Sequence, residues 1–357
     1  VGTTNSGKST SSLSILDKLI KQRKKTLIID PTGEYIEAFS DVNSLTLGED
    51  TVISTGELSS QQWEILFETN DNTQGSILSE AMKSLRFQKQ TQTSSVYKKI
   101  GKSPAEVDAD MTTVIERGFD LSLLPSQINQ ESVEISNRAP NVGKYVYNTF
   151  GANVNAWLVQ KVQHKLSNSS FTTFFGDDPS KSNLISKLNE FSHSETSSLY
   201  IDCSKIGTTD GIGGMIVDLI SNHLINLDKI DIKPFVMFID EVHRYTKSVT
   251  NELDYHTGLT SIAREGRKKG VFLFLTTQNP NDVPDILLGQ IGTLLIHRLT
   301  HSEELRAIQN HLKNHTLGQI KKLNQGESIL TSINLLQDIH ITIDECDRKH
   351  DNDTPSL

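Results

Sequence analysis

The segment Val1–Thr10, VGTTNSGKST, sets Gly2, Gly7, Lys8 and Ser9 at the spacing G-x-x-x-x-G-K-[ST]. A loop of this kind surrounds phosphates with backbone N–H groups, sends a lysine to the β/γ-phosphates and offers a hydroxyl to Mg²⁺. The expected nucleotide-binding residues are therefore Gly2, Thr3, Thr4, Asn5, Ser6, Gly7, Lys8, Ser9 and Thr10, with Lys8 also catalytic and Ser9 also a metal ligand. The loop functions when a buried strand leads into it and a helix leads away. The helix is legible: from Lys8, the stretch KSTSSLSILDKLIKQRKK places Leu13, Leu16, Leu19 and Ile20 on one face and ends in a basic run. Only Val1 precedes the loop and there is no initiator methionine, so the native chain is expected to start earlier, these 357 residues being a C-terminal portion.

Composition sets the class. Hydrophobic residues at 35% and charged residues at 22% fit a soluble globular chain, and no apolar run approaches the ~20 residues of a membrane helix. The two cysteines, Cys203 and Cys346, lie too far apart for a zinc pair and suit a reducing cytoplasm. A net charge of −9 argues against a basic coat for nucleic acid, while leaving room for a local basic lining.

Further along, KTLIIDPTGEYIEAF has an apolar core, Leu27 to Ile29, suited to a strand buried on both faces and stopping at Asp30-Pro31. Asp30 and Glu34 either face the crevice at the strand's end or shape the Pro-Thr-Gly turn. Residues 57–195 then change character, with aromatics and leucines spread among Gln, Ser, Asn and Thr, and read as a helical insertion. Within it SPAEVDADM carries a capping box of Ser103 and Glu106, FQKQTQTSSVYKKIGKS reads as a surface loop or poorly packed connection, and Trp63 and Trp157 as packing residues. The α/β pattern resumes at SSLYIDCSKIG.

The strand pattern in KPFVMFIDEVHRY, Phe235 to Ile239, ends in the pair Asp240-Glu241. Beside a phosphate loop this reads as a Walker B element: Asp240 holds the Mg²⁺ hydration shell and Glu241 polarises the attacking water. A later strand, Val271 to Leu275, ends in Thr276-Thr277-Gln278, where Gln278 can report the γ-phosphate. Arg264 and Arg267, on the basic helix before it, are candidates to stabilise transition-state charge across a subunit boundary. His243 and His297 read as packed or hydrogen-bonded residues, and the polar end DECDRKHDNDTPSL as a frayed tail.

In order and spacing, GTTNSGKST, IIDPTGEY, VMFIDEVHRY, AREGRKKG, LTTQNPNDVP and LNQGESIL resemble the HerA family of hexameric DNA-translocating ATPases, in the broader group of FtsK-like pumps. The resemblance implies an α/β, RecA-like P-loop fold with a mainly parallel sheet flanked by helices, with ATP and Mg²⁺ as cofactors. It gives Lys8 and Ser9 to nucleotide and Mg²⁺, Asp240 and Glu241 to hydrolysis, Gln278 to γ-phosphate sensing, and Arg267 or Arg264 to a neighbour's site. It also implies a small β-barrel domain ahead of the phosphate loop. Thr32 stands where relatives often have His, Asn5 where Gly is frequent, and Asn279 where many carry Arg.

These readings divide the chain into a first core segment (1–56), the helical insertion (57–195), a second core segment (196–343) and a polar tail (344–357). The expected function is an ATP-driven homohexamer acting on double-stranded DNA through a central pore, with no membrane contact, in a prokaryotic cytoplasm. Lys247 and Lys205 are the candidate DNA contacts. An effector partner, a nuclease or an NAD-hydrolysing sirtuin-type protein in anti-phage defence, is also expected. The alternative is a ring that binds ATP chiefly to assemble such an effector.

Overall fold

The computed structural model describes residues 1–69, 73–167, 169–206, 212–228, 232–246, 257–313 and 316–348. Two compact units result, one made of residues 1–47 and 186–357, the other of residues 48–185; the sequence reading places an insertion at 57–195. Among the described residues no helix is long and apolar enough to cross a membrane.

In the first unit, α1 (Lys8–Lys21) follows the phosphate loop and β1 (Thr26–Asp30) follows α1. All five residues of β1 are buried, as a strand covered on both faces requires. With β2 (Asn43–Thr46), β3 (Leu199–Asp202), β4 (Phe235–Ile239) and β5 (Val271–Leu275) it forms a five-stranded sheet in the order β2-β3-β1-β4-β5. Every pairing in that sheet is parallel. The register sets Asp30 beside Asp202 and Ile29 beside Ile239, so that Asp30, Asp202 and Asp240 end neighbouring strands at one edge. Ligands of open α/β sheets bind along that carboxyl edge.

One face of α1 supplies Leu13 and Leu16 to a core with Ile28, Tyr35, Phe39, Tyr200 and Phe238, with Leu19 and Ile20 packed at its margin. β5 is less covered than β1, since Phe272 is 46% exposed. The strand bonds β4 along one side, and on the other the described chain supplies Gly2, whose N–H donates to the Thr277 carbonyl at 3.3 Å.

Val1–Thr3 also reaches the other way. The Val1 amino group donates to Leu295 O and His297 N–H to Val1 O, both at 2.8 Å, and Thr3 N–H donates to Arg298 O at 3.1 Å. The loop entrance is thus held between the end of β5 and the end of β6 (Thr293–Ile296). With β7 (Glu327–Ser332) and β8 (Ile339–Thr342), β6 builds an antiparallel sheet over a core of Leu294, Ile296, Leu305, Ile308 and Ile329.

The second unit is mainly helical. Trp63 is buried against Phe67, Phe119 and Phe175, as expected of a packing residue. Ser103 and Glu106 make the expected capping box, with Pro104 in the first turn. Two readings are corrected. Trp157 is 68% exposed, because the helix that carries it buries a different face. The stretch read as a surface loop is partly internal: Tyr97 and Lys99 are buried, Tyr97 N–H donating to Gln127 Oε1 at 2.7 Å and Lys99 pairing with Glu131.

The polar tail is tethered at Arg348. Its Nε donates to Asp17 Oδ1 of α1 at 2.7 Å and its Nη2 to Asp41 Oδ2 at 2.7 Å, while the guanidinium lies over the Phe39 ring at 5.1 Å. Asp17 is buried, so its carboxylate depends on this partner and on Lys21. Arg348→Ala is therefore expected to cost about 2 kcal/mol, the scale of a hydrogen bond to a charged group, read as a lowered Tm. Lys21→Ala, at an exposed ammonium, is expected to move Tm much less.

Candidate functional site

The phosphate loop is shaped by positive φ at Asn5 (60°) and Gly7 (91°). A Cβ on Gly7 would lie 2.8 Å from the Gly326 nitrogen, and one on Gly2 would lie 2.6 Å from both the His297 Cβ and the Ser6 Oγ. Both positions accordingly need glycine. Gly326 N–H donates to Ser6 O at 3.3 Å, so the LNQGESIL segment braces the loop from beneath. No side chain caps α1 and no acid sits in its first turn. Its open N–H groups and positive dipole end favour an anion, which fits a phosphate.

Across from the loop, Asp240 and Glu241 follow β4. Both are buried, and Glu241 adopts a left-handed backbone (φ 43°) that turns its side chain off the strand's alternation. Thr276 fixes the pair: its hydroxyl donates to Asp240 Oδ1 and accepts the Glu241 N–H at 2.9 Å. Glu241 Oε1 accepts from Lys8 Nζ and, at 2.9 Å, from Gln278 Nε2. Gln278 in turn accepts the Thr4 hydroxyl at 3.2 Å. His243 Nδ1 lies 3.1 Å from Glu241 Oε2. Loop lysine, Walker B glutamate, strand-end glutamine and loop threonine therefore form one continuous network.

The two acids are driven apart electrostatically. Burial pushes Asp240 up to about 7, against the pull of Lys8 and the Thr276 hydroxyl. For Glu241 burial acts in the same upward direction but is outweighed by the His243 hydrogen bond, Lys8 and Gln278, which bring it down to about 2. Glu241 is thus ionised at neutral pH. Glu34, half-buried, is raised by burial and then by Asp30 and Glu241, which puts it on this crevice.

Asp30 resolves into the turn former. Its Oδ1 accepts from Thr32 N–H (2.9 Å), Thr32 Oγ1 (2.8 Å) and Gly33 N–H (3.0 Å), and its Oδ2 from Tyr35 N–H (3.0 Å) and the Tyr200 hydroxyl (2.8 Å). That turn delivers Tyr35 to the side chain of Ser9, beside Asp240. Thr276, Tyr35, Thr4 as a partner of Gln278, and His243 as a partner of Glu241 are the site residues that motif reading did not assign. The only signal for the first two was their place at a strand end and in the GEY turn.

Other expected residues lie apart from the site. Arg264 and Arg267 sit on the helical turns entering β5, at the end away from Gln278; five residues of strand separate the two ends by roughly 16 Å. Both are exposed, and neither makes an ion pair among the described residues. Lys205 is exposed in the turn after β3, on the carboxyl edge. Lys247 lies outside the described residues.

The donor set fits a nucleotide carrying Mg²⁺. Ser9 and Asp240 would hold the ion and the loop its phosphates. Among the described residues no group of three His, Cys, Asp or Glu could hold a metal unaided, and Mg²⁺ bound through one or two protein oxygens plus phosphates needs none.

A phosphate loop opening a helix, opposed by an acidic pair at the end of a parallel strand, defines a P-loop nucleotide-binding protein of the RecA-like class. The chain belongs to the HerA family: the family model described as "Helicase HerA, central domain" matches residues 1–227, and "Helicase HerA-like C-terminal" matches residues 216–334. It is similar to the DNA double-strand break repair helicase HerA of Sulfurisphaera tokodaii, 24% identical over 241 residues, covering 60% of this chain and 47% of that protein. The probable DNA double-strand break repair helicase HerA of Methanocaldococcus jannaschii is 28% identical over 122 residues, 33% of this chain and 24% of that one. The chain thus matches from about a quarter to a half of these relatives' length. In fold it is similar to VirB4 of Thermoanaerobacter pseudethanolicus, with a TM-score of 0.63 at 15% identity over 97% of this chain and 88% of that one. The bacterial conjugative coupling protein TrwB gives 0.60 at 12% identity over 98% and 85%.

The Asp240 shift has a signed consequence. The ligand-free folded chain keeps a proton there up to about pH 7, whereas the unfolded chain releases it near the ordinary aspartate value, 3.8. Stability is therefore lost as pH rises between those two values. Asp240→Asn is expected to raise the Tm of the nucleotide- and metal-free protein at pH 8 and to leave it nearly unchanged at pH 4, measured by calorimetry.

Proposed function

We propose that this chain is an ATP-hydrolysing motor that translocates double-stranded DNA as a homohexameric ring. The observation that carries the reading is the network from Lys8 through Glu241 and Gln278 to Thr4, which ties the phosphate loop to a base and to a strand-end sensor. Lys8 and the loop N–H groups would hold the phosphates. As the Lys8 ammonium turns toward them, Glu241 Oε1 loses a donor and becomes free to accept a proton from a water. His243 and Gln278 stay beside that carboxylate, and loss of the lysine, one of the groups that lower its pKa, lets it take a proton more readily. Bound Mg²⁺ supplies charge neutralisation on the phosphates. Gln278, touching both the base and Thr4, is placed to pass the state of the nucleotide to β5.

Arg264 and Arg267, too far from their own phosphate loop, would serve a neighbouring subunit's site, where an arginine stabilises transition-state charge. Lys205 would contact the DNA backbone, as would Lys247. The setting would be a prokaryotic cytoplasm, with a nuclease or sirtuin-type effector in DNA processing or anti-phage defence.

The test is steady-state ATP hydrolysis with and without long linear duplex DNA, beside native mass measurement. Hydrolysis stimulated by duplex in a six-subunit species is expected. Glu241→Gln should bind ATP yet turn over at least about 100-fold more slowly, and Lys8→Ala should lose nucleotide binding. Tight ATP binding with negligible turnover, indifferent to DNA, would replace the motor by a ring that assembles an effector.

A further inference from the structure

Ser79, Lys83, Arg86 and Gln90 stand at i, i+4, i+7 and i+11 of the helix Gln74–Gln90 in the second unit, which sets all four on one face. Gln90 straps a chain segment across that face: its Oε1 accepts the Ile115 N–H at 2.8 Å and the Glu116 N–H at 3.2 Å, and its Nε2 donates to Thr113 O at 2.9 Å. Thr55 anchors the segment's far end, its hydroxyl donating to Phe119 O and accepting the Phe119 N–H, both at 2.9 Å. Gly56 permits the approach, since a Cβ there would lie 2.8 Å from the Gly118 nitrogen. Helix, segment and residues 56–60 enclose a cavity of about 530 Å³, and small-molecule sites usually span roughly 300–1,000 Å³. Protein–protein bonds alone hold its walls, so the cavity is formed in advance of any ligand.

Arg86 identifies half of the occupant. Its Nε is buried with no hydrogen-bond partner, its guanidinium lies 5.9 Å from the centre of the Phe119 ring, and it makes no ion pair among the described residues. Burial draws its pKa down, against the charge of Glu116. Glu116 cannot simply swing onto it, because its Oε1 accepts the Arg117 N–H at 3.0 Å and the Gly118 N–H at 2.8 Å. Lys83 and Arg117, in the same lining, also make no ion pair among the described residues. A half-buried cation with an unmet donor is costly, and the guanidinium fork matches the oxygens of a phosphate. The carboxylates identify the other half. Glu57 shares the lining, half-buried and without a hydrogen bond among the described residues, and burial holds its carboxyl above the ordinary value although Arg117 pulls the other way. Glu57 and Glu116 would repel the repeated charge of a polyphosphate or a duplex backbone, but they accept hydroxyl groups. One phosphate joined to several hydroxyls satisfies both halves.

We propose that this cavity binds a sugar phosphate, its phosphate on Arg86, Lys83 and Arg117 and its hydroxyls on Glu57 and the second oxygen of Glu116. The proposal does not rest on the motor reading, since the cavity lies wholly within residues 48–185 and holds none of the nucleotide-site residues.

The experiment titrates ribose 5-phosphate and, separately, inorganic phosphate into the full chain carrying Lys8→Ala, which silences the phosphate loop, by isothermal calorimetry. Ribose 5-phosphate should bind at least about tenfold more tightly than inorganic phosphate, the scale of one hydrogen bond to a charged group. Adding Arg86→Met should weaken that binding at least about tenfold. The same change should leave the Tm of the ligand-free chain level or raised, because an apolar side chain replaces an unpaired, half-buried charge. Arg117→Gln, at an exposed position, should weaken the same binding and leave the Tm unchanged. No binding of ribose 5-phosphate at millimolar concentration, or binding that neither variant weakens, overturns the proposal. Equal affinity for inorganic phosphate overturns it in favour of a plain anion site. Tighter binding of a short DNA duplex, lost in Arg86→Met, overturns it in favour of a nucleic-acid contact. A Tm fall of several degrees in Arg86→Met, with binding intact in Arg117→Gln, makes the cations structural and overturns it too.

Discussion

The ion pair between Lys8 and Glu241 depends on a register. A lysine at residue 8 and a glutamate at residue 241 share a buried crevice because Gly2 bonds Thr277 just past β5, and β4 pairs in parallel with β5, Ile239 opposite Leu275. Parallel strands present their ends together, and the next residue after each buried run is the first that can turn toward a ligand. A slip of one residue would turn every side chain to the opposite face of the sheet. The long apolar runs that prevent a slip are consequently part of what builds the crevice.

The pair also shows how one crevice holds two carboxylates in opposite states. Asp240 and Glu241 are adjacent, yet one is pushed toward neutrality by burial and the other is kept charged by partners. The left-handed backbone at Glu241 lets both acids serve one crevice, because adjacent residues on a regular strand would face opposite sides of the sheet. That strain is offset by the Thr276 hydroxyl, which holds both members of the pair at once.

Most of the sheet was legible because strands buried on both faces are written as unbroken apolar runs, as in Leu27–Ile29 and Phe235–Ile239. The phosphate loop was legible because backbone geometry demands glycine at fixed spacing. What escaped were relations across long sequence separations. That Asp30 would spend its oxygens on a turn and on Tyr200 depends on 170 residues of intervening chain. Trp157 was misread because an exposed and a buried tryptophan look alike in composition; only the position of Leu158 and Val162 on the helix tells which face the unit has used. Arg348 in a polar tail gives no local sign that Asp17 and Asp41 await it.

The brace beneath the phosphate loop bears on the timing of synthesis. Gly7 and Gly326 are in near contact, as are Val1 and Leu295, so the loop is completed only by residues made much later along the chain. At roughly 5–20 residues per second, a ribosome needs from about a quarter of a minute to a minute to span that interval. Until then Ser6 and Gly7 lack the backbone that holds them. Nascent chains therefore cannot assemble the full nucleotide cradle early, and a ribosome that stalls before Gly326 releases a product without its floor.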